Sequence, residues 1–188
     1  MYFACMYGII NKAIQELVMA NYGEDAWKSV LTRSGIKERF FLSSEAYDDE
    51  VTYKLAQAAA EELGVDVSFV LSNFGEWWIL KTGKEKYGGL MEAGGSNLKE
   101  FLFNLPNFHN RIMLMYPKLT PPEFKVEALA DDSIDLHYFS KREGLQDFVF
   151  GLLIGLSKLY ETDVEINMIK TRQVGDTHEV YKVRIIEK

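Results

Sequence analysis

The period of the hydrophobic pattern changes at one place in this chain, the proline pair Pro121 and Pro122. Before the pair, apolar residues recur every three or four positions, which is the spacing of amphipathic helices. After it, the segments FKVEAL and SIDLHYFS alternate apolar and polar residues, and two segments at the end of the chain do the same. The pattern predicts an α+β fold, in which a helical first part precedes two β-hairpins separated by one more helix.

Glycine and proline residues set the expected limits of the helices. Gly23 and Gly83 each follow an apolar periodic run, a position where glycine commonly ends a helix. Pro106 lies inside another such run, and a proline there breaks or kinks the helix just before it. Beyond the proline pair, Asp131 and Asp132 are expected to form the turn of the first hairpin.

The bulk composition argues against several classes of protein. The formal net charge of −7 argues against a nucleic-acid-binding surface, which needs clustered Lys and Arg. Cys5 is the single cysteine, so an internal disulfide framework is excluded. The longest apolar run is far shorter than the ~20 residues that span a bilayer, and no signal peptide is visible. We expect one cytoplasmic domain over residues 1–188, with no nucleic-acid or membrane partner.

His109 is the first candidate for chemistry. On a helix it shares a face with Leu105, Ile112, Met113 and Tyr116. A histidine in such apolar company more often fills a core than binds a ligand. A single histidine without a second ligand at metal spacing does not suit zinc, but it does suit haem, where one proximal imidazole is sufficient.

Three polar residues at the end of a predicted strand form the second candidate. Tyr138, Ser140 and Arg142 continue the face that begins with the apolar Leu136. One interpretation is an edge strand whose polar residues meet water. The other is a clamp for two carboxylates, formed by a bidentate guanidinium and two hydroxyls. Haem carries two propionates, so this trio and His109 predict the same ligand.

The remaining polar residues give weaker signals. His137 and His178 lie on strand patterns and are expected to be exposed, and the acidic stretch Asp48–Glu50 is expected to cap a helix and face solvent. No Ser-His-Asp or Cys-His grouping is apparent. Because nothing in the sequence supplies catalysis, we do not expect an enzyme.

The sequence resembles the H-NOX (haem nitric oxide/oxygen binding) family, which includes bacterial gas sensors and the haem domain of the soluble guanylate cyclase β subunit. The similarity covers nearly the whole chain, from Met6 to the last strand. The matching segments are MYGIINKAI from Met6, YDDEVTY from Tyr47, FGEWW from Phe74, NLPNFHNR around His109, TPPEF from Thr120 and YFSKREGLQDFVFG from Tyr138.

The resemblance implies a fold and a set of site residues. A helical subdomain of about residues 1–65 would pack on an α/β subdomain of about residues 66–188 with an antiparallel four-stranded sheet, and haem b (iron protoporphyrin IX) would be buried between them. His109 would be the proximal iron ligand, and Pro122 would distort the porphyrin. The implied propionate clamp is Tyr138, Ser140 and Arg142. The implied pocket and distal positions are Ile10, Trp78 and Phe148.

The resemblance also implies a function. Oxygen-binding members place a tyrosine in the distal pocket, and this sequence, counted back from Gly151, has Phe148 there. We therefore expect a sensor that binds nitric oxide and CO and excludes O2, unless Trp78 donates a hydrogen bond instead. It would relay a conformational change to a histidine kinase, a diguanylate cyclase or phosphodiesterase, or a guanylate cyclase domain. Two alternatives stay open, which are a haem gas carrier or scavenger without signalling output and a haem-free ligand-binding module.

Overall fold

Six α-helices and six β-strands are present in the part of the chain that this computed structural model describes, residues 5–116, 121–129 and 133–186. The helices are α1 (Gly8–Ser34), α2 (Asp49–Leu63), α3 (Val67–Trp77), α4 (Lys84–Glu92), α5 (Leu98–Met115) and α6 (Gln146–Leu159). The strands are β1 (Cys5–Tyr7), β2 (Ala46–Asp48), β3 (Glu123–Ala128), β4 (Ser133–Phe139), β5 (Val164–Lys170) and β6 (Glu179–Ile185). A π-helical turn, Trp78–Gly83, connects α3 to α4, and a 3-10 turn, Arg172–Val174, lies between β5 and β6.

The four strands after the proline pair form one antiparallel sheet in the order β3-β4-β6-β5. The two predicted hairpins are β3-β4 and β5-β6, and the β4-β6 pairing joins them. The inner face of β4 presents Ile134, Leu136 and Tyr138, all of which are buried. The α+β fold and the four-stranded antiparallel sheet are therefore confirmed, whereas the turn expected at Asp131 and Asp132 lies outside the described residues.

The glycine and proline signals have mixed outcomes in the helices. Gly23 adopts non-helical angles (φ 86°, ψ 173°) and kinks α1. The expectation that Gly83 ends a helix is wrong, because the chain passes from α3 through the π-helical turn into α4. A Cβ at Gly83 would lie 2.9 Å from the Trp78 carbonyl oxygen, so the wide turn needs a residue without a side chain there. Helix α5 is continuous through Pro106.

Helices α3 and α6 contact each other through their backbones. A Cβ at Gly151 would collide with the Ser72 carbonyl oxygen, and a Cβ at Gly75 would collide with the Phe148 carbonyl oxygen. This close approach brings the ring of Phe148 to 4.8 Å from the ring of Phe74, measured between centroids. The contact fixes α6 on α3 and thereby positions the residues around Phe148.

Two main apolar clusters fill the interior. One is built by α1, α2 and the start of α3, and the other by the sheet, α5 and α6. Trp78 packs against both clusters. A boundary between subdomains near residue 65 stays a prediction. Among the described residues, no helix is both long enough and apolar enough to cross a membrane.

Candidate functional site

A large cavity lies between the helices and the sheet. Its volume is about 1350 Å³, including space that is open to solvent. The wall is mainly apolar, with contributions from β1, α1, the π-helical turn, α5, β4 and α6. The wall contains these predicted site residues: Ile10, Trp78, His109, Pro122, Tyr138, Arg142 and Phe148. Ser140 is described by the structure but is not a lining residue.

The imidazole of His109 is held in one orientation by its own helix. Its Nδ1 lies 3.0 Å from the carbonyl oxygen of Leu105. A carbonyl oxygen can only accept, so Nδ1 carries the proton and Nε2 has a lone pair. Burial lowers the pKa of His109, and the bond to Leu105 opposes that change only in part. A neutral imidazole with a free Nε2 lone pair is the form that binds a metal.

Aromatic rings connect His109 to the sheet. The ring centroid of Phe124, on β3, lies 5.1 Å from that of His109. On its other side, the Phe124 ring lies 5.5 Å from the ring of Tyr138. Phe108 packs edge-on to His109 at 5.7 Å. The predicted ligand and the predicted clamp therefore belong to one packed aromatic wall of the cavity.

The guanidinium of Arg142 is paired with Asp49 at the start of α2. The Arg142 Nε lies 2.7 Å from Oδ2 of Asp49, and the two side chains are only 9% and 11% exposed. The expectation that the acids at Asp48–Glu50 face solvent is therefore wrong for Asp49. A buried carboxylate that accepts a charge-assisted hydrogen bond fixes the direction of the guanidinium at the cavity wall.

The two hydroxyls of the predicted clamp have different positions. Tyr138 is 2% exposed, and burial raises the pKa of its phenol, while the Ser140 hydroxyl and the Arg142 charge oppose the increase. The phenol is therefore a neutral hydrogen-bond donor at the cavity wall. Ser140 instead accepts a hydrogen bond of 3.0 Å from the backbone N–H of Arg142. In this structure Ser140 shapes the turn that carries Arg142.

Three phenols that were not among the predicted site residues also line the cavity. The hydroxyl oxygens of Tyr87 and Tyr116 are 2.7 Å apart, and the Tyr7 ring lies 4.8 Å from the Tyr116 ring. Burial and the bond to Tyr116 raise the pKa of Tyr87. Tyr116 was expected to share a helix face with His109, seven positions earlier, and both residues line the cavity. This phenol cluster connects the end of α5 to β1 and α4.

A second arginine, which was not predicted, contacts the backbone of the clamp. Arg172 donates hydrogen bonds to the carbonyl oxygens of Ser140 and Arg142, at 2.8 and 2.9 Å. Tyr53 donates to the next carbonyl oxygen, that of Glu143, at 2.8 Å. No sequence signal could have found these contacts, because they join positions distant in the chain through backbone atoms.

The other two histidines lie away from the cavity. His137 and His178 are partly buried rather than exposed, and their Nδ1 and Nε2 atoms are 2.9 Å apart. Within the described ranges, no group of three His, Cys, Asp or Glu side chains could hold a metal ion. The cavity residues nevertheless fit haem, which needs one neutral imidazole, an apolar slot and cationic or hydroxyl partners for its propionates.

Comparison with known proteins gives one family and one fold. Residues 7–168 match the family model described as Haem-NO-binding. The fold is that of an H-NOX protein from S. oneidensis in the Fe(II)NO ligation state, with a TM-score of 0.88, 20% identity and coverage of 97% of this chain and 100% of that one. An unliganded Fe(II) H-NOX protein from K. algicida gives a TM-score of 0.86 at 23% identity, covering 97% and 98% of the two chains.

Curated relatives are larger proteins. Soluble guanylate cyclase gcy-32 of Caenorhabditis elegans is 32% identical over 165 residues, which are 86% of this chain and 24% of that protein. The chain thus spans about a quarter of the length of such relatives.

Proposed function

The chain belongs to the Haem-NO-binding family of H-NOX sensor domains, and from this premise we propose that it holds haem b and senses nitric oxide and CO while excluding O2. When bound, the haem supplies a ferrous iron that takes a diatomic gas. One observation carries the proposal, namely that a neutral imidazole and a guanidinium line the same apolar cavity.

His109 is the proposed iron ligand. Its Nδ1–H is committed to the Leu105 carbonyl, so Nε2 is the nitrogen available to iron. The same hydrogen bond raises the basicity of the imidazole and fixes its ring relative to α5. Pro122, which lines the cavity directly before β3, is proposed to press on the porphyrin, since its ring cannot yield as a flexible side chain would.

The clamp is proposed to hold the propionates with Arg142 and Tyr138 at the cavity wall. Arg142 offers a guanidinium oriented by Asp49, and Tyr138 offers a neutral phenol. Ser140 keeps its proposed place in the clamp, although its hydroxyl supports the turn in this structure. Charge-assisted contacts of this kind are the stronger class of hydrogen bond.

The choice of gas is proposed to depend on the wall formed by Ile10, Trp78 and Phe148. Dioxygen is stabilised by a hydrogen-bond donor, whereas nitric oxide and CO bind tightly without one. Phe148 offers no donor, and its ring is held against Phe74 by the close packing of α3 on α6. The indole of Trp78 is the group that would alter the selectivity if it pointed toward the gas.

The relay is proposed to run along α5. Tyr116, directly after α5, touches Tyr7 on β1 and Tyr87 on α4. A displacement of the His109 imidazole would therefore pull this cluster against both elements. We expect a separate cytoplasmic polypeptide or domain to read the change, either a histidine kinase, a diguanylate cyclase or phosphodiesterase, or a guanylate cyclase domain.

Absorption spectra of the reduced protein under argon, air, CO and nitric oxide test the proposal. We expect a haem Soret band that shifts with CO and with nitric oxide but shows no dioxygen binding in air. A purified protein that cannot take up haem would support the haem-free module instead. Pull-down of partners with and without nitric oxide separates a sensor from a carrier, because a carrier would capture no partner in a gas-dependent manner.

A further inference from the structure

Arg172 is bonded to the backbone of the proposed clamp from the opposite hairpin. It lies in the 3-10 turn between β5 and β6. Its Nη1 donates to the Ser140 carbonyl oxygen at 2.8 Å, and its Nη2 donates to the Arg142 carbonyl oxygen at 2.9 Å. One side chain thus hydrogen-bonds the backbone on both sides of residue 141.

The guanidinium is itself held by Glu179. The Arg172 Nε lies 2.8 and 3.0 Å from the two carboxylate oxygens of Glu179, which is only 2% exposed. Burial of a carboxylate is costly unless it is paired and hydrogen-bonded. Glu179 raises the pKa of Arg172 in return. Glu179 lies opposite Tyr138 in the β4-β6 ladder, so the Arg172–Glu179 pair is fixed to the sheet.

The segment that receives these bonds needs external support. β4 ends at Phe139, and residues 140–145 have no helix or strand of their own. A connection without ladder bonds is fixed by other hydrogen bonds, of which the Ser140 hydroxyl supplies one from within the segment and Arg172 supplies two from outside. Arg172 itself is not a cavity-lining residue, whereas Arg142 and Tyr138 are. Its two hydrogen bonds to carbonyl oxygens therefore act on a ligand in the cavity through the backbone of the clamp.

We infer that Arg172, held by Glu179, is a positioning residue that fixes the backbone from which Arg142 reaches the carboxylates of the ligand. This rests on the proposed function, because it assumes that haem propionates occupy the clamp. The β5-β6 hairpin would thus contribute to ligand retention through Arg172, although Arg172 does not line the cavity.

The test is the rate of haem loss from the holoprotein to an apo-myoglobin trap. Arg172→Gln should lose haem about tenfold faster than the parent, the size of effect typical of residues that orient a ligand group. Arg172→Lys should lie between the two, since a single ammonium cannot make all the contacts of a planar guanidinium. Arg33→Gln is the control, because Arg33 also pairs with a glutamate, Glu62, at 2.7 Å but on α1 and α2.

A double-mutant cycle separates positioning from general stability. If Arg172 acts through Arg142, then Arg172→Gln should change haem loss much less in an Arg142→Ala background than in the parent. The propionate-bending bands in the resonance Raman spectrum should change in Arg172→Gln and not in Arg33→Gln. Additive effects on haem loss, or unchanged Raman bands, would overturn the inference.

A second variant covers the case in which Arg172→Gln does not fold. Glu179→Gln keeps the shape of the partner and removes its charge, and it should also accelerate haem loss. If Arg142→Ala accelerates haem loss while neither Arg172→Gln nor Glu179→Gln does, the positioning role is wrong and the proposed function stands. If the parent binds no haem, the proposed function itself fails.

Discussion

The Nε of Arg142 lies 2.7 Å from Oδ2 of Asp49, 93 residues earlier in the chain. This ion pair joins the first turn of α2 to the irregular segment after β4, and it places the guanidinium at the cavity wall. The cavity therefore depends on the contact between the N-terminal helices and the sheet. An element that moves α2 relative to the sheet would also move the clamp.

Asp49→Asn should loosen this connection. Loss of a charge-assisted hydrogen bond between side chains that are 11% and 9% exposed should lower the free energy of unfolding by about 1.5–3 kcal/mol. Haem loss should be faster as well, since Arg142 is no longer oriented. Urea unfolding and transfer of haem to apo-myoglobin measure the two effects.

Glu50→Gln provides the matched control, because Glu50 lies in the same helical turn and pairs with Lys54 at the exposed surface. Its stability and haem retention should equal those of the parent. If Asp49→Asn behaved like Glu50→Gln, the pair would have no role in the site.

His109→Gly should remove the proposed bond between protein and iron. The glycine leaves space in the cavity wall, so added imidazole should enter and restore haem binding. The ferrous absorption spectrum with and without imidazole measures this. His178→Ala, which removes a histidine outside the cavity, should keep the parent spectrum. An unchanged spectrum of His109→Gly without imidazole would exclude His109 as the ligand.

The haem-free protein should lose stability in acid partly through His109. Burial lowers the pKa of His109 in the folded protein, whereas the unfolded chain titrates near the ordinary value of about 6.5. Between these two pKa values the unfolded state binds more protons than the folded state. The contribution of His109 to the free energy of unfolding is therefore complete above about pH 6.5 and declines as the pH falls. The maximum slope is about 1.4 kcal/mol per pH unit.

Urea unfolding of the haem-free parent and of His109→Leu at pH 7.5 and 5.5 isolates this contribution, because all other side chains are the same in both proteins. The parent should lose more free energy of unfolding between the two pH values than His109→Leu. Equal losses would show that His109 is not buried as a neutral imidazole.

The clamp residues should contribute unequally to haem retention. Arg142→Ala removes a guanidinium from the cavity wall, and a hydrogen bond to a charged group is worth about 1.5–3 kcal/mol. Tyr138→Phe removes one neutral donor, and Ser140→Ala removes a hydroxyl that supports the turn. Haem-loss rates should therefore rank Arg142→Ala as fastest, whereas Arg33→Ala should match the parent. Equal rates for Arg142→Ala and the parent would refute the clamp.

Local regularities made much of the fold predictable. The helical period, the alternation after the proline pair and the glycine at position 23 each depend on neighbouring residues, and the structure has the corresponding elements. The π-helical turn at Trp78–Gly83 was not predictable, because it packs on α6, where a Cβ at Gly155 would lie 2.8 Å from Cβ of Ile79, a contact between positions distant in the chain. The ribbon of β1 and β2 consists of strands of three residues, too short for a periodic signal.

The lining of the cavity was predictable where one residue type is tied to one chemistry. His109 and Arg142 were predicted as site residues from side-chain chemistry and from resemblance to a family, and both line the cavity, whereas their roles toward haem stay predictions. Asp49 and Arg172 were not, because an acid at a helix start and an arginine in a hairpin are ordinary local features. Their importance depends on partners that are distant in the sequence and meet only in the folded chain. Asp49 pairs with Arg142, and Arg172 donates hydrogen bonds to two backbone carbonyl oxygens.

Phe148→Tyr should shift the selectivity for gases. Phe148 lines the cavity, and its ring packs against Phe74. A tyrosine at this position would therefore present its hydroxyl to the cavity from the same wall. One hydrogen bond to a partly charged dioxygen could contribute about 1.5–3 kcal/mol, roughly a ten- to hundredfold gain in affinity. The affinities for nitric oxide and CO should change little, because neither gas needs a donor.

Equilibrium titration of the reduced variant with O2 and CO measures this shift. Phe150→Tyr is the matched control, since Phe150 lies on the same helix two positions away and does not line the cavity. It should keep the gas affinities of the parent. A measurable rather than a complete gain in O2 affinity is expected for Phe148→Tyr, because the cavity shape and the bond from His109 also affect binding. Dioxygen binding by the unmodified protein would contradict the proposed selectivity and would assign the donor to Trp78.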